Sequence, residues 1–123
     1  MNTQKFTQKS LEAIQEAQNI SISNHNMQIE EEHLACALLE QQNGLIPQLL
    51  KKMGVDEMAA LRSVQKQVNK LPGVTGPGRE QGKVYVSGDV DTVLVNAEKE
   101  AERMKDEYVS VEHIMLSIID HPN

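Results

Sequence analysis

Two histidines, each directly after a glutamate, stand out among the residues able to do chemistry: Glu32-His33 in the first half of the chain and Glu112-His113 in the second. A zinc site built on one helix needs a second ligand one turn on, and Ala37 and Ser117 occupy those positions. Packing or hydrogen bonding of the imidazoles is therefore the expected role, and no metal site is assigned. Cys36 lies on the apolar side of its stretch with Ala35 and Leu39, the setting of a buried, unreactive thiol. Being the lone cysteine, it cannot form an intramolecular disulfide, which agrees with a reducing compartment. Gly76-Pro77-Gly78 is not a phosphate cradle, because no G-x-x-x-x-G-K-[ST] pattern occurs. The candidate acids lie at helix starts exposed to water, and no nucleophile accompanies them. A freestanding hydrolase is thereby disfavoured. The expectation is a chain that binds and does not catalyse.

Composition narrows what it binds. The 123 residues carry 12 Lys/Arg against 18 Asp/Glu, a net charge of -6, which is no footprint for phosphates of DNA or RNA. The acidity is concentrated beyond residue 71, where five Lys/Arg face ten Asp/Glu, so cationic partners are favoured there. Phe6, Tyr85 and Tyr108 are too few to stack bases. No apolar run is long enough for a membrane span or a signal peptide, so a cytosolic protein with no membrane partner is expected.

The elements that position these residues read as helical almost throughout. Thr7 caps a first helix carrying Leu11, Ile14, Ala17 and Ile20 on one face. After the polar turn Ser23-Asn24-His25-Asn26, a second opens near Glu30 and carries Leu34, Ala35, Leu38 and Leu39. A short third helix lies between Gly44 and Gly54, with Pro47 in its first turn. Asp56 caps a fourth, whose stripe is Leu61, Val64, Val68 and Leu71 and which Pro72 ends. Residues 72–83 contain four Gly and two Pro and read as an exposed connector. Ser87 or Asp89 then caps a helix with Val90, Val93, Leu94, Ala97, Ala101 and Met104; Ser110 caps a last one with Ile114, Met115, Ile118 and Ile119, stopped by Pro122. The fold class is all-α with about six helices and no sheet beyond a short extended pair near Tyr85-Val86.

An internal repeat organises these helices. Sliding the chain by about 80 residues brings Thr7 onto Ser87, Ile14 onto Leu94, Asn26 onto Asp106, Ile29 onto Val109, Glu32 onto Glu112 and His33 onto His113 without a gap. The units are repeat one, 5–71; the connector, 72–84; and repeat two, 85–121, in a single domain spanning 1–123. Two such halves pack about a pseudo-two-fold axis. The second copy ends where the first continues into its third and fourth helices, so a unit of roughly 25 residues is expected beyond the end of a truncated chain.

The stretch AQNISISNHNMQIEEEHLACALLEQ, its echo AEKEAERMKDEYVSVEHIMLSIID and the connector LPGVTG resemble the Clp N-terminal domain, and within that family the ClpB-type disaggregases. The likeness covers nearly all of residues 5–120. It implies an all-helical double repeat ahead of two AAA+ ATPase modules in a homo-hexameric parent, engaging unfolded or aggregated polypeptide before threading. ATP would belong to those modules, with no cofactor in this chain. The ClpC and ClpA branches imply an alternative, binding of adaptors or of phosphoarginine degrons, the latter received by the Glu of a Glu-His-Ile-Leu motif.

The resemblance also assigns a site. Thr7, Asp106 and Glu112 match a polar cluster at the substrate-binding groove; Ser87, Leu94 and Glu32, the repeat counterpart of Glu112, complete the candidates. Residue by residue, Thr7 also reads as an N-cap, Asp106 as a turn residue and Glu112 as a charge complementing its helix dipole. The family groove has apolar walls, but Asn96, Glu100 and His113 stand where leucine is implied, and Leu94 alone stays apolar. This tilts the site toward polar or cationic ligands.

Overall fold

The computed structural model describes residues 3–41, 44–73 and 85–120. Six α-helices lie within them, α1 (Gln8–Ser23), α2 (Glu31–Glu40), α3 (Leu45–Lys52), α4 (Glu57–Lys70), α5 (Gly88–Arg103) and α6 (Val111–Asp120), giving the expected all-α fold. Most of the connector and the stop at Pro122 lie outside the described residues.

The helix starts follow from local chemistry. Thr7 Oγ1 accepts the Ser10 N–H at 3.1 Å, Ser87 Oγ accepts that of Val90 at 3.1 Å, and Asp56 Oδ1 accepts those of Met58 and Ala59. Each cap satisfies amides that have no partner inside the helix. Of the two candidates at the start of α5, Ser87 is the cap.

The ends of α1 and α5 are also copies of each other. His25 and Lys105, one residue past each C-cap, take the left-handed conformation at φ 58° and 61°. The amides of Asn26 and Asp106 then turn back to the carbonyls of Ser21 (2.9 Å) and Ala101 (2.8 Å). This 6→1 closure is the Schellman arrangement, made here without glycine.

The repeats are tied together by exchanged backbone pairings. A strand β1 (Gln28–Ile29) ahead of α2 pairs in parallel with β2 (Tyr85–Val86) ahead of α5, in register Gln28 with Tyr85 and Ile29 with Val86. Phe6, ahead of α1, forms the matching parallel bridge with Val109, ahead of α6. The entry to each first helix therefore leans on the other repeat.

The core lies between the helix pairs α1–α2 and α5–α6. Ala13, Ala17, Leu34 and Leu38 meet Val93, Leu94, Ala97 and Ile114, all essentially without exposure. Small side chains at Ala13, Ala17 and Ala97 let the helices approach closely. The buried hydroxyls of Ser10 and Ser117 donate to the carbonyls of Val109 (3.0 Å) and Val93 (2.7 Å).

Three expected stripes are buried less fully than their spacing implied. On α4 only Val68 is buried, while Leu61 and Val64 are partly exposed, because that helix packs chiefly along α2. Met104 is the C-cap of α5 and largely exposed, and Ile119 on α6 faces solvent. The α2 face that carries Cys36, 2% exposed, is covered by α4; its counterpart on α6, Leu116, is 42% exposed.

Candidate functional site

The Schellman closures aim Asn26 and Asp106 at the next helix, and there each meets the repeated histidine. His33 Nδ1 accepts the Glu30 N–H at 2.8 Å and its Nε2 lies 2.7 Å from Asn26 Oδ1. His113 Nδ1 accepts the Ser110 N–H at 2.9 Å and its Nε2 lies 2.8 Å from Asp106 Oδ2. With Nδ1 held as an acceptor, the ring proton sits on Nε2 and is donated to the preceding turn. Both nitrogens of both rings are thus used by the protein, which accounts for their recurrence beside glutamate. Burial lowers the His33 pKa from its ordinary value, outweighing the nearby carboxylates of Glu32 and Glu30.

The two copies part company beyond the ring. Asn26 is buried and also donates to the Pro72 carbonyl at 3.0 Å, tying the α1–α2 turn to the end of α4. Asp106 keeps 47% of its side chain exposed. Next to it, the Ser110 hydroxyl donates to Glu112 Oε1 at 2.9 Å. An unbroken run of hydrogen bonds thus links Asp106, His113, Ser110 and Glu112 at the start of α6.

The candidate residues fall into two sets related by the repeat. Thr7 donates its amide to the Val109 carbonyl at 3.0 Å, so it sits against the α5–α6 connection that carries Asp106 and leads to Glu112. Ser87 donates its amide to the Ile29 carbonyl at 3.0 Å, so it sits against the connection leading to Glu32. Thr7 is half-buried, with its hydroxyl donating to Ser10 Oγ at 3.0 Å, and Ser87 is buried at its cap. Glu32 is partly exposed in the first turn of α2, and Glu112 is exposed in that of α6.

Leu94 requires a correction. It was expected to wall a groove, yet it is fully enclosed in the core and offers no surface to a ligand. The α5 face carrying Leu94 is the one that packs inward, and a side chain at that register has no route to solvent. Asn96 and Glu100 do line an open cleft of about 250 Å³, with Lys99, Ser117 and Asp120. Glu100 is paired there with Arg103, which holds its carboxyl below the usual range.

Sequence reasoning missed a second cleft of about 360 Å³, where Glu16 and Ile20 of α1, Cys36 and Glu40 of α2 and Gln65 of α4 come together. No spacing signal could have revealed it, since three helices contribute. Burial, with help from Glu40 and Glu16, pushes the Cys36 thiol up to about 12, and the thiol donates to Glu40 at 3.4 Å. It is a poor nucleophile. Among the described residues no three His, Cys, Asp or Glu side chains are grouped to hold a metal, and no helix is long and apolar enough to cross a membrane.

The sequence is matched over residues 5–123 by the family model described as the Clp repeat (R) N-terminal domain. The chain belongs to the Clp N-terminal domain family. Among members of known sequence, chaperone protein ClpB of Nitratidesulfovibrio vulgaris is 43% identical over 122 residues, covering 99% of this chain and 14% of the relative. Chaperone protein ClpB of Bacillus anthracis is 41% identical over 120 residues, covering 98% and 14%. The Clp N-terminal domain here thus spans about one seventh of the length of these relatives. The crystal structure of the Hsp104 N-terminal domain from Candida albicans superposes with a TM-score of 0.83 at 25% identity, over 95% of this chain and 75% of that one. The N-terminal domain of the ClpV1 ATPase from E. coli shares the fold, with a TM-score of 0.81 at 18% identity over 97% and 70%.

Proposed function

We propose that this chain is the substrate-recognition N-terminal domain of a ClpB-like, ATP-dependent disaggregase, capturing unfolded or aggregated polypeptide for ATPase modules elsewhere in the parent protein. One observation carries the reading: chaperone protein ClpB matches 99% of the chain at 43% identity. The chemistry of repeat two supports it. Asp106 and Glu112 carry carboxylates on the α5–α6 connection and the first turn of α6, and Thr7 is bonded to that connection at Val109, an acidic edge suited to Lys or Arg in an extended client. Exposed ion pairs contribute about 0–1 kcal/mol each, so single-site binding is weak and a homo-hexameric parent would add avidity. In this reading the domain comprises repeat one (5–71), connector (72–84) and repeat two (85–121). It works in the cytoplasm without a cofactor of its own, and ATP is held by the parent's modules.

A second reading, an adaptor- or phosphoarginine-degron-binding domain of the ClpC or ClpA type, is favoured by one feature: Glu32 and Glu112 occupy the same place in the first turns of α2 and α6. NMR titration of the labelled chain with unfolded casein and with a phosphoarginine peptide separates the two. Casein shifts at Thr7, Asp106 and Glu112 that weaken with salt are expected. Shifts confined to Leu61, Val64 and Val68 of α4 would overturn the site. Phosphoarginine binding lost in Glu32→Gln and Glu112→Gln would favour the second reading.

A further inference from the structure

The two histidines form nearly identical local structures, yet only one of them ends on a charged group in contact with water. His33 is bonded to Asn26, a buried amide that also accepts from Asn24 and donates to the Pro72 carbonyl, the bonds of a structural clasp. His113 is just as buried, but its Nε2–H is spent on Asp106 Oδ2, half of whose side chain is in solvent. A clasp needs no anion: Asn26 does the same work in repeat one. On the far side of the ring, Ser110 gives its amide to His113 Nδ1, and its hydroxyl lies 3.0 Å from that same nitrogen while donating to Glu112 Oε1. Each carboxylate is held by one oxygen, and among the described residues Asp106 Oδ1 and Glu112 Oε2 carry no hydrogen bond.

We propose that His113 is a positioning residue that, through Ser110, orients Asp106 and Glu112 as one receptor for the guanidinium or ammonium groups of a basic peptide segment. The inference rests on reading repeat two as a client site, and adds to it the residue that shapes that site and the repeat that carries it. Holding one oxygen of each acid removes rotamer freedom before a ligand arrives, so less order is lost on binding. Because Nδ1 is occupied by a backbone donor, the ring meets Asp106 only as a donor, which keeps that carboxylate an acceptor for a cation.

The test uses the full 123-residue chain and the peptide acetyl-Arg-Leu-Arg-Leu-Arg-amide, with affinity read by NMR titration and stability by thermal melting. His113→Leu should weaken binding by about fivefold, the scale of a lost oriented charge contact. His33→Leu, which removes the matching clasp, should lower the melting temperature comparably and leave affinity within about twofold. His113→Gln keeps a donor at the Nε2 position and should restore most of the affinity; Ser110→Ala, which keeps the backbone donor and loses the link to Glu112, should weaken binding without unfolding the chain. Long-range nitrogen-proton spectra of the wild-type chain should place the His113 proton on Nε2, and a proton on Nδ1 would overturn the proposal even if the leucine variant does not fold. If Asp106→Asn and Glu112→Gln bind as the wild type does, the client site itself is misplaced and both readings fall. If those two weaken binding while His113→Leu behaves like His33→Leu, the site stands and the role of His113 is refuted.

Discussion

His33 Nε2 lies 2.7 Å from Asn26 Oδ1, and both side chains are sealed inside the protein. That contact holds only while the ring is neutral at Nδ1, where the Glu30 amide donates. Burial depresses the His33 pKa below 6.5, so the unfolded chain takes up a proton before the folded one. Stability from this group is present above about 6.5 and is lost as pH falls from there toward the folded value. Urea denaturation from pH 7.5 down to 5 should show this loss, and His33→Gln should flatten that part of the profile.

The left-handed residue that closes α5 offers a stabilising change. Lys105 holds φ 61° at a cost that glycine does not bear. Lys105→Gly is expected to raise unfolding free energy by about 1 kcal/mol, read from the denaturation midpoint at unchanged slope. A loss of stability would mean that the lysine stem packs in a way that outweighs its backbone strain.

Cys36 should resist alkylation. With its thiol pushed up to about 12 and its side chain buried, iodoacetamide at pH 8 should leave the native chain unmodified by mass spectrometry. The same reagent should modify it fully in 8 M urea. Rapid labelling of the native chain would mean that the cleft between α1, α2 and α4 opens.

Leu94 tests the correction to the site directly. Leu94→Ala should cost about 2–5 kcal/mol of stability as a core cavity. Below its lowered melting temperature it should bind basic peptide like the wild type. Selective loss of binding with stability intact would return Leu94 to the site.

Much of the architecture was legible because it rests on bonds made within a few residues. Thr7, Asp56 and Ser87 cap the helices that follow them, since a side-chain oxygen needs only the next turn's amides. The register of about 80 residues that set His33 on His113 was visible for the same reason: each ring is bonded to its own turn and helix start. Exposure was not legible, because it depends on which helix lands on which face. Leu94 and Leu116 look equally apolar in sequence, yet one is enclosed and the other is 42% exposed. The chain pattern likewise placed Thr7 and Ser87 in one candidate site. The exchanged pairings of Phe6 with Val109 and Ile29 with Val86 set Thr7 against the entry to α6 and Ser87 against the entry to α2, contacts between segments far apart in the chain. Sequence alone determined the helices, their caps and the repeated histidine, all governed by hydrogen bonds of short reach. Only the tertiary structure decided that Asn26 is buried, because Pro72 and the end of α4 close over its turn.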